Sequence, residues 1–212
     1  GDEHAWAREY LLTIIPDVDR PIQKEWIQYY DELPTEYSRY TRIAVDLAIS
    51  EKDTADYTAI IPARVYGYGD DMKIYILPYI INQRLTFPNV VNKLEEMFSV
   101  VEGYSQATEI VVEDVGYQGA LHQWLSKRNI PARGFKIQGQ DKHARLKVAG
   151  YPVQNGTVLF PRKGAEQLIQ QLVYFGIEKH DDLADAFSIL VNDSMGRNYR
   201  GCRVFANKPR GW

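Results

Sequence analysis

The hydrophobic positions of this chain fall into two rhythms. Residues 42–49, 57–66 and 73–81 are runs rich in Ile, Val, Ala and Tyr, and they predict three consecutive strands. The segments between them, 50–56 and 67–72, are too short to hold a crossover helix, so the strands form an antiparallel meander. Pro62 and Pro78 lie inside these runs, which predicts an edge strand or a bulge at each. Helical spacing takes over across 87–104, where Val90, Val91, Leu94, Met97, Phe98 and Val101 share a face. A short apolar strand at 109–113, a helix over 119–128 and a strand at 132–137 follow, an alternation that implies parallel pairing. Helices near 141–149 and 164–175 and a last one beginning at His180 complete the pattern. The prediction is an α/β fold in which helices flank a mixed sheet, an antiparallel three-strand meander continued by parallel strands. This is the ribonuclease-H-like arrangement. Residues 1–40 differ: Pro16, Pro21 and Pro34 break short amphipathic pieces, which suits an arm or linker or, equally, a peripheral helix.

Composition narrows the class. At 212 residues, 45% hydrophobic and 25% charged, the chain suits one globular domain with an appendage. Its single cysteine, Cys202, can form neither an intrachain disulfide nor a cysteine-based zinc site, and the chain reads as intracellular. The longest nearly apolar run, 74–81, is far short of the roughly 20 residues that a membrane helix needs. The first residues carry no secretory pattern and no initiating methionine, and they read as part of a longer protein. A net charge of −3, from 25 Lys+Arg against 28 Asp+Glu, argues at face value against a nucleic-acid partner.

Carboxylates at the ends of predicted elements change that picture. Asp46 interrupts an apolar strand, where an ionised carboxylate is costly unless a positive group compensates it. Ala44 and Ala48 share its face and leave room beside it. Glu113 closes the strand at 110–113 and is followed by Gly116 and Gly119, the usual place for a site at the C-terminal edge of a parallel strand. The densest group is Lys179-His-Asp-Asp-Leu-Ala-Asp-Ala, which puts Asp181, Asp182 and Asp185 within two turns at a helix start. Helix capping accounts for the first two but not for Asp185, and like charges this close destabilise the fold unless a cation joins them. Oxygen ligands with no cysteine and no histidine pair suit one or two Mg²⁺ or Mn²⁺ ions, and such a pair suits phosphodiester hydrolysis. His180 is an accessory candidate, as proton carrier, outer ligand or cap.

The sequence then resembles a known family. Ile43-Ala-Val-Asp-Leu-Ala with Asp56-Tyr-Thr-Ala-Ile, Val111-Val-Glu-Asp-Val-Gly, Lys142-His-Ala-Arg-Leu, Gly156-Thr-Val-Leu-Phe-Pro and His180-Asp-Asp-Leu-Ala-Asp-Ala occur in the order and spacing of the nuclease domain of the large terminase subunit of tailed bacteriophages. The resemblance covers about 42–190. It implies a ribonuclease-H-like fold, Mg²⁺ or Mn²⁺ dependence with two ions, and endonucleolytic cutting of concatemeric double-stranded phage DNA during packaging. By position it implies Asp46, Glu113 and Asp182 as catalytic ligands, with Asp181 beside them and Asp185 either a ligand or a support. It also implies partners, the portal or procapsid and the small terminase subunit, in the host cytoplasm. Residues 1–40 become an arm from a missing N-terminal ATPase region, 41–195 the nuclease domain and 196–212 a basic C-terminal tail. No phosphate loop of the type G-x-x-x-x-G-K-[ST] occurs; Gly134 to Gly139 has the glycine spacing without the Lys-Ser/Thr.

Basic residues concentrate between the second and third acidic sites. Lys127, Arg128, Lys136, Lys142 and Arg145 are the expected phosphate contacts, with Lys142 and Arg145 also matching the family pattern. Without the five site acids the remaining chain has an excess of two bases, so the acidity sits where metals would bind. The alternatives are another ribonuclease-H-like nuclease, such as a junction resolvase or transposase core, and a non-catalytic module that docks on DNA or the portal.

Overall fold

The computed structural model describes residues 20–48, 57–105, 107–113, 118–136, 141–177 and 180–201, without the side chains of 118 and 198–201. Residues 1–19, the tail 202–212 with Cys202, Asp56, Asp114, Gly116 and Lys179 therefore lie outside the described residues. Eight strands and five helices follow one another as β1 (Tyr29–Tyr30), β2 (Tyr40–Asp46), β3 (Thr58–Tyr66), β4 (Lys73–Ile76), β5 (Ile81–Gln83), α1 (Phe87–Val101), β6 (Thr108–Glu113), α2 (Gln118–Ser126), β7 (Ala132–Phe135), α3 (Lys142–Gln154), β8 (Val158–Pro161), α4 (Glu166–Val173) and α5 (Asp182–Gly201). They make one sheet in the order β1-β8-β4-β3-β2-β6-β7, with β5 paired to β3. The meander β2-β3-β4 is antiparallel; β2-β6, β6-β7, β4-β8 and β1-β8 are parallel.

Alternation along the strands divides the core into two layers. Ile43, Val45, Ile60, Ile110 and Val112 pack under α1 and α2, whose buried residues include Leu94, Met97, Leu121 and Leu125. Ala44, Ala59, Ile61, Ala63 and Val111 face the other layer, formed with Leu146, Leu168, Leu172, Ala184, Ala186 and Phe187 of α3, α4 and α5. Alanines on both the sheet and α5 let that helix lie close to the strands. Every residue from Asp182 to Val191 is buried.

Three expectations change. The run 73–81 is interrupted at Leu77–Pro78, where proline has no donor for the ladder; after this bulge it resumes in the same direction, against the same strand β3, as β5. Pro62 lies on neither an edge nor a bulge; it pairs with Ile43 in an inner strand, at the point where the partner on the other side changes from β5 to β4. Strands β1 and β8 escaped prediction because they are only two and four residues long. Their effect is large, since β1 carries residues of the leading arm onto the sheet edge through Tyr29↔Phe160.

Ile22 of that arm is fully buried in the α3–α5 layer, and Gly150 of α3 lets the arm pass. A Cβ at Gly150 would stand 2.4 Å from the Pro21 carbonyl oxygen, a backbone atom that cannot move without lifting the arm. Gly150→Ala is therefore expected to destabilise the protein by about 1–3 kcal/mol in urea unfolding despite the higher helix propensity of alanine. An unchanged or higher midpoint would show that residues 20–22 do not dock as described.

Candidate active site

Register brings the first two acids together. Strands β2 and β6 are parallel, with Val45 opposite Val112, so the next residues, Asp46 and Glu113, lie side by side at the C-terminal ends of neighbouring strands. By period two Asp46 follows Ala44 and Glu113 follows Val111, which puts both on the α5 face. The first turn of α5 delivers Asp182 and Asp185 to the same place. Buried Gln171 of α4 fixes that turn, its Oε1 accepting the Leu183 backbone N–H at 2.9 Å, so a glutamine rather than an aspartate side chain meets this N-terminal donor. The sequence signal for Gln171 was a polar residue at a core-facing position of an amphipathic helix.

The electrostatics confirm the convergence. The Asp46 carboxyl is pushed up to about 8, first by burial, then by the charges of Asp185 and Glu113, a hydrogen bond with Glu113 and the charge of Asp182. Three of the sequence-selected acids thus act on Asp46, and the charge of the fifth, Asp181, acts on Asp185. Asp181 stands at the rim, partly exposed, where Lys142 Nζ reaches its Oδ1 at 3.1 Å. His180 edges against the ring of Tyr57 at 4.9 Å, with Nδ1 4.0 Å from Asp182 Oδ2, too far for a hydrogen bond. Tyr57 also lies under the Arg84 guanidinium at 5.0 Å. Neither Tyr57 nor Arg84 stood out in the sequence, because the contact of Arg84 with Tyr57 depends on β5 pairing with β3, and that of Tyr57 with His180 on the packing of distant segments.

Two residues expected on the DNA face lie in this cluster instead. Arg145 is only 6% exposed; its Nη2 donates to Asp185 Oδ1 at 2.9 Å and its Nη1 is 3.7 Å from Glu113 Oε1. Lys142, about half exposed, also reaches Asp185 Oδ2 at 2.6 Å. Burial opposes the Lys142 charge, but hydrogen bonds and charge from Asp185 and Asp181 outweigh it and raise its pKa. Burial likewise raises the pKa of Asp185, partly offset by Lys142 and Arg145. Both cations come from the first turn of helix α3, which Asp141 caps by accepting the Ala144 N–H at 2.7 Å. Lys127 and Arg128, by contrast, flank the exposed Trp124 ring on α2, Arg128 also pairing with Glu95. Lys136 is exposed just beyond β7.

Among the described residues, no three acidic, histidine or cysteine side chains form a ready-made metal cage. The donor chemistry nevertheless fits a hard divalent cation, because converging carboxylate oxygens hold a proton on Asp46 far above its usual range. The sign for stability follows: the folded state binds a proton that the unfolded chain releases near pH 4, so this contribution is present at low pH and is lost as pH rises toward 8. The metal-free protein is expected to melt progressively lower between pH 5 and about 8.5, and Asp46→Asn to flatten the curve, as read by circular dichroism. A wild-type curve that rises over this range would contradict the shared carboxylate site.

The sequence matches no known protein-family profile and no curated protein at significant similarity. Solved structures do match. A large terminase nuclease from thermophilic phage G20c, solved with bound zinc, superposes with a TM-score of 0.52 at 16% identity, covering 84% of this chain and 96% of that one. The same nuclease was also solved with magnesium and with cobalt. The human cytomegalovirus terminase nuclease domain gives 0.58 at 14% identity over 81% of this chain and 94% of that one. The HK97 bacteriophage large terminase gives 0.52 at 12% identity, and this chain spans 43% of its length. With its mixed sheet and flanking helices, the chain therefore has the ribonuclease-H-like fold of large terminase nuclease domains.

Proposed function

We propose that this chain is a metal-dependent endonuclease that cuts concatemeric double-stranded phage DNA during genome packaging. The observation that carries the reading is the meeting of Asp46, Glu113, Asp182 and Asp185, from two strands and one helix, at one end of this fold. Asp46, Glu113 and Asp182 are the proposed catalytic ligands, with Asp181 and Asp185 as further candidates, and Mg²⁺ or Mn²⁺ as the cofactor. Bound there, two such ions supply an activated water and stabilise the leaving oxygen of the phosphodiester.

The protein's own contribution is positional. Adjacent parallel strands hold Asp46 and Glu113 rigidly, and the buried first turn of α5 brings Asp182 to them without a mobile loop. His180, steadied by Tyr57, lies beside Asp182 as the accessory group. Lys127, Arg128 and Lys136 are the proposed contacts to phosphates, which suits cutting with little reading of base edges. The ATPase region, portal or procapsid and small terminase subunit are the proposed partners, in the host cytoplasm. Among the described residues no helix is long and apolar enough to cross a membrane.

Plasmid nicking with Mn²⁺ or Mg²⁺ tests the assignment. Asp46→Asn and Asp182→Asn are each expected to reduce cleavage tenfold or more, whereas equal nicking by both variants and the wild type would sink it. For the DNA contacts, Lys127→Ala and Lys136→Ala are expected to weaken duplex binding and to lower the salt dependence, the slope of log K against log salt falling by about one for each lost phosphate contact. An unchanged slope would remove these lysines from the interface.

A further inference from the structure

Asp185 is the one acid of the cluster whose two oxygens are both engaged by side-chain cations. Its Oδ1 accepts from Arg145 Nη2 at 2.9 Å and its Oδ2 from Lys142 Nζ at 2.6 Å. An ion ligated by either oxygen would stand within a few ångströms of a fixed positive charge, which opposes its binding. Arg145 itself is buried and incompletely satisfied: its Nε and Nη1 have no hydrogen-bond partner among the described residues, and Nη1 faces Glu113 at 3.7 Å. Among the described residues, Asp185 is the carboxylate of the cluster that accepts a hydrogen bond from this guanidinium. If Glu113 turned toward a metal, Asp185 would have to keep Arg145 in place alone.

We propose that Asp185 is not a metal ligand but a positioning residue, which anchors Arg145 and Lys142 as built-in cations beside the ligand set Asp46, Glu113 and Asp182. The inference rests on the nuclease reading above and deepens it. In the metal-free protein these cations reduce repulsion among carboxylates that the fold forces together. In the metal-bound protein they moderate the pull of the acids on the ions, so the site holds its metals less tightly than bare carboxylates would.

Removing the pair together separates a ligand from a counterion, because Arg145→Gln with Asp185→Asn leaves the net charge unchanged. In calorimetric titration of the full chain with Mn²⁺ alone, the double variant is expected to keep the wild-type stoichiometry and an affinity within about threefold. Asp185→Asn alone weakens Mn²⁺ several-fold and Arg145→Gln alone tightens it several-fold, whereas Asp182→Asn costs tenfold or more. Loss of an ion, or of tenfold in affinity, in the double variant overturns the proposal while leaving the nuclease reading intact. A wild-type protein that binds no Mn²⁺ overturns both. A crystal structure of the wild type soaked in Mg²⁺ decides the matter without any variant: Asp185 is expected to remain on Arg145 and Lys142, and an Asp185 oxygen at about 2.1 Å from the ion overturns the assignment.

Discussion

Helix α5 is tied to the sheet by charge at two places, its first turn and its middle, and between them these ties span the stretch that crosses the strands. Its first turn carries Asp182 and Asp185 into the carboxylate cluster at the end of β2 and β6. At the other end of that stretch, in the middle of the helix, Asp193 meets Arg42 of β2 at 3.3 Å and also pairs with Arg133 of β7. Glu109 of β6 lies beside it, 3.4 Å from Arg42, 3.0 Å from Arg133 and 2.9 Å from Arg197. The spacing matches: eight residues of helix from Asp185 to Asp193 rise about 12 Å, and four residues of strand from Arg42 to Asp46 span about 13 Å. Between the two ionic ends lie small and apolar contacts, including Ala44, Ala184 and Phe187, the last stacked on Phe160 at 5.9 Å.

The two ends differ in what they leave unresolved. At the Asp193 end three arginines face two carboxylates, so each buried negative charge is answered within the protein. At the Asp185 end two cations, Arg145 and Lys142, face five acids, and burial together with that shortfall pushes the Asp46 pKa up. A buried ionic network can be structural, and in the proposed function the one left short of positive charge at the C-terminal ends of parallel strands receives it from outside. This difference, more than the number of acids, separates the functional end of α5 from its anchor.

Most of the fold was legible because it rests on local pattern. The alternation that separates Ile43 and Val45 from Ala44 and Asp46 gave the meander and its two faces, and the 3.6-residue spacing gave α1. The acids were legible because each breaks an apolar run. What the sequence could not supply was non-local. Strand β8 is four residues and acquires its meaning from pairing with β4 and β1, and β5 is separate from β4 because Pro78 interrupts the ladder along β3. Arg145 and Lys142 read as a pair of phosphate contacts three apart, and only the packing of α3 against α5 brings them to Asp185.

That reversal also recasts the charge balance. Counting bases between the acidic sites as a single DNA-binding face treats all of them as free, yet Lys142 and Arg145 are committed to carboxylates of the cluster and Arg133 to Glu109 and Asp193. The surface bases that remain on this side, Lys127 and Arg128 around Trp124 and Lys136 beyond β7, come from α2 and the edge strand rather than from α3. A duplex guided by them would approach along the β6–β7 side of the sheet, past the strand end that carries Glu113, with Asp46 and Asp182 deeper across the same edge. Phosphates would then meet weak surface attraction first and the strongly acidic centre last, so close approach to that centre depends on positive charge that the protein alone does not supply.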